Sequence, residues 1–126
     1  MKTKKILIVD DKETMRVLLS EVLRPLGQEI ETAGSKNGAI QRLAEKIFDL
    51  VIIDNLICVT NGFELLQSMK KMYPSLPILV VNTNGFDAEI LQKGALACIP
   101  RPVNPSQLHL LSHLILNIPS LSPKSK

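Results

Sequence analysis

Residues 48–66 read FDLVIIDNLICVTNGFELL, and the fold follows from how this stretch changes character at Asp54. Leu50, Val51, Ile52 and Ile53 form an unbroken apolar run. Such a run suits a strand buried on both faces, as in parallel sheets covered by helices. It ends at a carboxylate. In open parallel sheets, ligands and chemistry collect at the carboxyl ends of the strands, where loops and helix N-termini leave a crevice. Asp54 is therefore the first candidate functional residue. Asn61-Gly62 then signals a tight turn, and Phe63, Leu65, Leu66 and Met69 fall at helical spacing.

Upstream, Ile6-Leu7-Ile8-Val9 is a second short apolar run, and it too ends in acid, at Asp10 and Asp11. From Lys12 to Leu26, Met15, Leu18, Leu19, Val22, Leu23 and Leu26 recur at intervals of three and four, with Gly27 as a natural stop. Gln28 to Ala33 alternates weakly and predicts an edge strand. A second helix carries Ile40, Leu43, Ala44 and Ile47.

Downstream of Met69, Tyr73-Pro74-Ser75-Leu76-Pro77 breaks the pattern and Ile78 to Val81 resumes it as a fourth strand. Phe86 to Lys93 predicts a short helix with Ile90 and Leu91 on one side, and Leu96 to Ile99 a fifth strand running into Pro100-Arg101-Pro102. The last helix begins near Asn104 with Pro105 in its first turn. Its Leu108, Leu110, Leu111, Leu114, Ile115 and Ile118 cover close to half the circumference, while His109, His113 and Asn117 face away. Five strands alternating with five helices predict an α/β fold with right-handed crossovers and a parallel sheet covered on both faces. No GxGxxG or GxxxxGK[ST] occupies a strand-to-helix turn, which argues against dinucleotide and P-loop binding.

A chain of 126 residues fits one domain. Aromatics are only 3% and Trp is absent, so the core must be Leu, Ile and Val. No apolar run approaches the ~18 residues of a membrane span, and two aspartates come too early for a signal peptide. A cytoplasmic protein without membrane contact is expected. Cys58 and Cys98 lack metal-ligand spacing and read as two reduced thiols. Of the 15 basic residues, Lys2, Lys4, Lys5, Lys124 and Lys126 lie at the ends, leaving 10 against 12 acids. The +3 charge thus provides no basic face for nucleic acid. The expected domain spans 1–118, with 119–126 a disordered tail or the start of a linker.

If strands one and three are neighbours, as in the 2-1-3-4-5 order of flavodoxin-like sheets, Asp10, Asp11 and Asp54 converge at one edge. Three acids together repel one another, and a hard divalent cation such as Mg²⁺, which takes oxygen ligands, is the plainest remedy. Acids at strand ends also serve as solvated loop residues or caps, and Asp10 or Asp11 could cap the helix that starts near Lys12. That all three acids end buried strands favours the metal.

The pattern resembles the receiver domain of two-component response regulators. ILIVDD at 6–11 is similar to the family's first strand and acidic pair, DLVIID at 49–54 to its phospho-acceptor strand, and Gly62 falls eight residues after Asp54. The likeness continues through Pro77-Ile78-Leu79-Val80-Val81 and Gly94-Ala95 into Arg101-Pro102. It implies that Asp54 accepts a phosphoryl group from a histidine kinase or phosphotransfer protein. It also implies that Asp11 and Asp54 ligate Mg²⁺ with the backbone carbonyl of Leu56, that Asp10 assists through water, and that the Arg101-Pro102 peptide is cis.

Several positions depart from the family. Asn82 stands at its Ser/Thr position, or Thr83 if the slot shifts by one, and Arg101 replaces the lysine of its KP pair. Asn82 can still donate through its amide and Arg101 keeps the charge, although a planar fork is not a compact ammonium. Cys58 replaces a proline, and Cys98 an aromatic switch residue. Between Asn82 and Gly94 the chain is about three residues short, close to one helical turn. A stunted or displaced fourth helix is expected, and with it an altered face formed by helix four, strand five and helix five, the family's surface for output domains or a homodimer. A pseudo-receiver that binds partners without a phosphoryl switch is the alternative. A hydrolase or phosphotransferase has little support, since no separate general acid or substrate loop is visible. Cys58 reads as a small apolar loop residue before a reactive thiol. His109 and His113 read as a solvated polar face, having no third metal ligand nearby in sequence.

Overall fold

Five parallel strands carry the apolar runs: β1 Lys5–Val9, β2 Glu29–Ala33, β3 Leu50–Asp54, β4 Ile78–Asn82 and β5 Ala97–Pro100. They form one sheet in the order β2-β1-β3-β4-β5, as the flavodoxin-like expectation required. The structure, a computed structural model, describes residues 3–54, 64–82 and 87–118, with Asn82 described by its backbone alone. The expectations placed on Leu56, Cys58, Asn61, Gly62, Phe63, Thr83, the Asn82 side chain and the 119–126 tail lie outside the described residues.

Alternation along the strands divides the core in two. Ile6, Ile8, Leu50, Ile52, Leu79, Val81 and Ile99 pack on one face of the sheet with Leu19 and Leu23 of α1 (Glu13–Leu23) and Leu108, Ile115 and Leu116 of α5 (Pro105–Leu116). On the other face, Leu7, Val9, Val51, Ile53, Ile78 and Val80 meet α2 (Lys36–Glu45), α3 (Glu64–Met72) and α4 (Asp87–Gln92). Every residue of β3 is buried. Two apolar faces on one strand require the continuous run that the sequence displays at 50–53.

The helix ends follow from local chemistry. After a short 3-10 turn, Arg24–Leu26, Gly27 closes the α1 segment at φ +73°, a conformation open to glycine without strain. Ser35 caps α2 by accepting from the Gly38 N–H at 3.0 Å. Asn104 caps α5, its Oδ1 accepting from Ser106 and Gln107 N–H groups at 2.9 and 3.2 Å, with Pro105 at the first helical position.

Three expected helix faces need correction. On α2 the buried pair is Ala39 and Leu43, whereas Ala44 is exposed and Ile47 lies outside the helix and exposed. Helical periodicity ceases at Lys46, whose backbone is extended, so Ile47 no longer belongs to the face of Leu43. On α4, Ile90 is buried and Leu91 is exposed. On α5 the sheet covers Leu108, Ser112, Ile115 and Leu116, and leaves Leu110, Leu114 and Ile118 exposed. A leucine stripe half a circumference wide exceeds what one sheet face can cover. The expectation for the fourth helix reaches into residues outside the description; its described part, α4, runs over Asp87–Gln92.

Candidate functional site

Asp10 and Asp54 meet because the strands that carry them are in register. Val9 pairs with Ile53, so the next residue along each strand is a carboxylate at the same edge of the sheet. Asp10 continues the face of Ile6 and Ile8, and Asp54 that of Leu50 and Ile52. Oxygens of Asp10, Asp11 and Asp54 lie within 4.8 Å of one another, with Asp10 and Asp54 buried and Asp11 exposed. Among the described residues this is the one group of three side chains that could hold a metal ion.

Backbone contacts fix Asp10 from three sides. Its N–H donates to the Ala33 carbonyl at 3.1 Å, its Oδ1 accepts from the Lys12 N–H at 2.9 Å, and its carbonyl accepts from Arg16 Nη1 at 2.7 Å. The cap-like use of Asp10 at Lys12 and its place in the acid cluster are therefore both realised. Its Oδ2 is buried and accepts no hydrogen bond among the described residues. Burial pushes the Asp10 carboxyl above the ordinary range; the Lys12 N–H opposes this, the Asp54 charge adds to it, and Arg101 opposes it.

Arg101 supplies the countercharge. Residues 97, 99 and 101 share one side of β5 and its extension, and Ile99 packs in the layer of α1 and α5, so alternation sends Arg101 toward the face of Asp54. Its Nη2 donates to Asp54 Oδ1 and stands 3.6 Å from Asp10 Oδ2. The Arg101-Pro102 peptide is cis, as expected. Cys98 falls on the opposite side, against the layer of α2, α3 and α4, with its Sγ 4.0 Å from the Asp87 carbonyl at the start of α4. Burial, and secondarily Asp87, pushes its thiol up to about 11, so it is protonated at neutral pH.

The donor set fits a hard cation. It consists only of carboxylate oxygens, and Asp10 Oδ2, buried and without a hydrogen bond among the described residues, has only the Arg101 guanidinium 3.6 Å away. Asn82 ends β4 one residue beyond Val81, which pairs with Asp54. Arg16 was missed by sequence reasoning. It lies on α1, where a basic residue reads as solvated surface, and nothing in the spacing reveals that it reaches back six residues to the Asp10 carbonyl.

A family model for the response regulator receiver domain matches residues 6–112. The chain is 34% identical over 107 residues to a transcriptional regulatory protein, the CpxR homolog of Haemophilus influenzae, a match covering 82% of this chain and 46% of that protein. It is 32% identical over 108 residues to the transcriptional regulatory protein ZraR of Klebsiella oxytoca, covering 83% and 24%. It thus spans less than half of either relative's length. Among solved structures, a response regulator receiver domain protein (CheY-like) from Methanospirillum hungatei JF-1 superposes with a TM-score of 0.82 at 28% identity, covering 92% of this chain and 95% of that one.

Proposed function

Because this chain belongs to the response regulator receiver domain family of two-component signalling, we propose that Asp54 is its phosphoryl acceptor and that Asp10, Asp11 and Asp54 together hold Mg²⁺. The observation that carries this reading is the intact acid triad at the carboxyl edge of the sheet, with Asp54 on the central strand. A carboxylate is a competent nucleophile toward phosphorus. An Asp54 oxygen forms the new P–O bond while the bond from phosphorus to the donor breaks. The donor, a phosphohistidine imidazole or the carboxylate of an acyl phosphate, leaves with the electron pair. When bound, Mg²⁺ offsets charge on the transferring oxygens. The Leu56 carbonyl is its proposed further ligand.

Arg101 meets the phosphoryl charge from the end of β5, and Asn82, or Thr83 in its stead, donates from the end of β4. The donor protein is a histidine kinase or phosphotransfer protein in the cytoplasm. The readout is a changed surface at α4, β5 and α5, where an output domain or a second copy docks. Among the described residues no helix is long and apolar enough to cross a membrane.

Incubation with Mg²⁺ and acetyl phosphate, followed by intact-mass measurement, should add one phosphoryl group, and Asp54→Asn should abolish it. Absence of the adduct together with absence of Mg²⁺ binding would favour the pseudo-receiver alternative, which rests on the altered Asn82, Cys98 and Arg101 positions.

A further inference from the structure

We propose that a cleft at the β2 edge of the sheet is a second binding site, which takes a small phosphate monoester that also carries hydroxyl groups. The cleft, of about 470 Å³, opens at the carboxyl end of β2 between α1 and α2, and Arg16, Thr32, Gly34, Gln41, Arg42 and Glu45 line it. Because α1 and α2 cover opposite faces of the sheet, the guanidinium groups of Arg16 and Arg42 reach it from opposite walls. Its size falls in the range of small-ligand pockets and exceeds what an inorganic ion fills. None of Asp10, Asp11 and Asp54 lines it.

The donors in the cleft outnumber the acceptors the protein offers them. Arg16 is held in place: its Nη1 donates to the Asp10 carbonyl at 2.7 Å, and a Cβ on residue 34 would stand 2.9 Å from that nitrogen, so the bare Gly34 backbone lets the guanidinium lie against it. Nε and Nη2 of Arg16 make no hydrogen bond among the described residues. Arg42 keeps its donors as well. The acid beside it, Glu31, stands 4.0 Å from Nη1 and accepts from Lys46 through its other oxygen. A phosphate monoester presents three terminal oxygens and about 1.5 to 2 negative charges, which two planar forks on opposite walls match; a carboxylate offers two oxygens on one side. Glu45 sets the rest of the ligand. Its carboxylate accepts no hydrogen bond among the described residues, so it repels a bare phosphate ion and accepts from a hydroxyl. The pairing of two arginines with one acid therefore selects a sugar phosphate over inorganic phosphate.

The test is an amide NMR titration of the metal-free full chain with ribose 5-phosphate, whose phosphate is not activated for transfer to Asp54. Saturable shifts should appear at the amides of residues 32–34 and 41–45 and at the Arg16 Nε–Hε resonance, while those of Ile52 to Asp54 stay in place. Arg42→Gln, a change on the exposed side of α2, should weaken binding about tenfold or more. Glu45→Gln should narrow the preference for ribose 5-phosphate over inorganic phosphate. Shifts that saturate at Ile52 to Asp54 instead would put the ligand at the acid triad and overturn the second site. No saturation at millimolar ligand, or an affinity that Arg42→Gln leaves unchanged, would overturn it as well. A phosphoserine peptide that binds more tightly than ribose 5-phosphate would overturn the assignment to a small ligand.

Discussion

At the scale of single residues, the site contains one carboxylate whose burial is only partly offset. Asp10 is buried, one of its oxygens is held by the Lys12 N–H, and the other has only the distant arm of Arg101. Its native pKa is raised, chiefly by burial, so the folded protein holds the Asp10 proton more tightly than the unfolded chain does. Stability contributed at this position is therefore fully present in acid. It is lost as pH rises from the ordinary carboxyl value of 3.8 through the raised native value. Asp10→Asn keeps an oxygen for Lys12 and removes the buried charge. In metal-free buffer at pH 7 it should raise stability by about 1 kcal/mol in urea unfolding, and the gain should shrink toward pH 4. A lower midpoint at pH 7 would mean that attraction to Arg101 outweighs desolvation.

At the scale of elements, the junction between α4 and β5 is held by a glycine whose replacement carries both backbone strain and a steric cost. Gly94 has φ +122°, and a Cβ there would lie 2.6 Å from Lys70 Cγ. Lys70 is not free to withdraw. From α3 its Nζ donates to the carbonyls of Pro74 at 2.8 Å and Leu76 at 2.7 Å, tying the turn that leads into β4. Gly94→Ala should therefore cost about 2 kcal/mol, seen as a lower urea midpoint at unchanged slope. A Lys70→Ala background should recover the steric part and leave the backbone part. A loss below about 0.5 kcal/mol would show that the turn re-forms in another conformation. This junction also shows what the chain reveals in advance. Strands 50–53 and 6–9 and the acids that end them are legible, because burial on both faces demands continuous apolar residues and register does the rest. The faces of α2 and α5 are not, because Ala39 outranks Ala44 and Leu116 outranks Leu110 through the orientation of the helix on the sheet, which composition does not encode. Arg101 was legible as a cation near Asp54, but not as one nitrogen placed between two acids.

At the scale of the whole molecule, the sheet order makes the acceptor strand the most constrained part of the fold and the α4–β5 edge the least. β3 is the central strand, bonded to β1 and β4, and no residue of it is exposed. β5 pairs on one side only, with β4; Ile99 joins the layer of α1 and α5 on one face, and the other face meets α4, which among its described residues buries Ile90 alone. Arg101 follows directly on β5 and donates to Asp54, so this edge of the sheet is bonded to the acid site. Elements with few buried contacts open by local fluctuation, whereas a doubly covered central strand exchanges its amides only on global unfolding. Hydrogen exchange of the metal-free protein should find the α4 amides at 90–92 exchanging about a hundredfold or more faster than those of Val51 to Ile53 after correction for intrinsic rates. The β5 amides should fall between them. The other edge offers the control, since β2 also pairs on one side but carries the longer α2 beside it. Equal protection of α4 and β3 would mean that the edge unfolds only with the whole domain, and the site would then have no loosely held element through which to act.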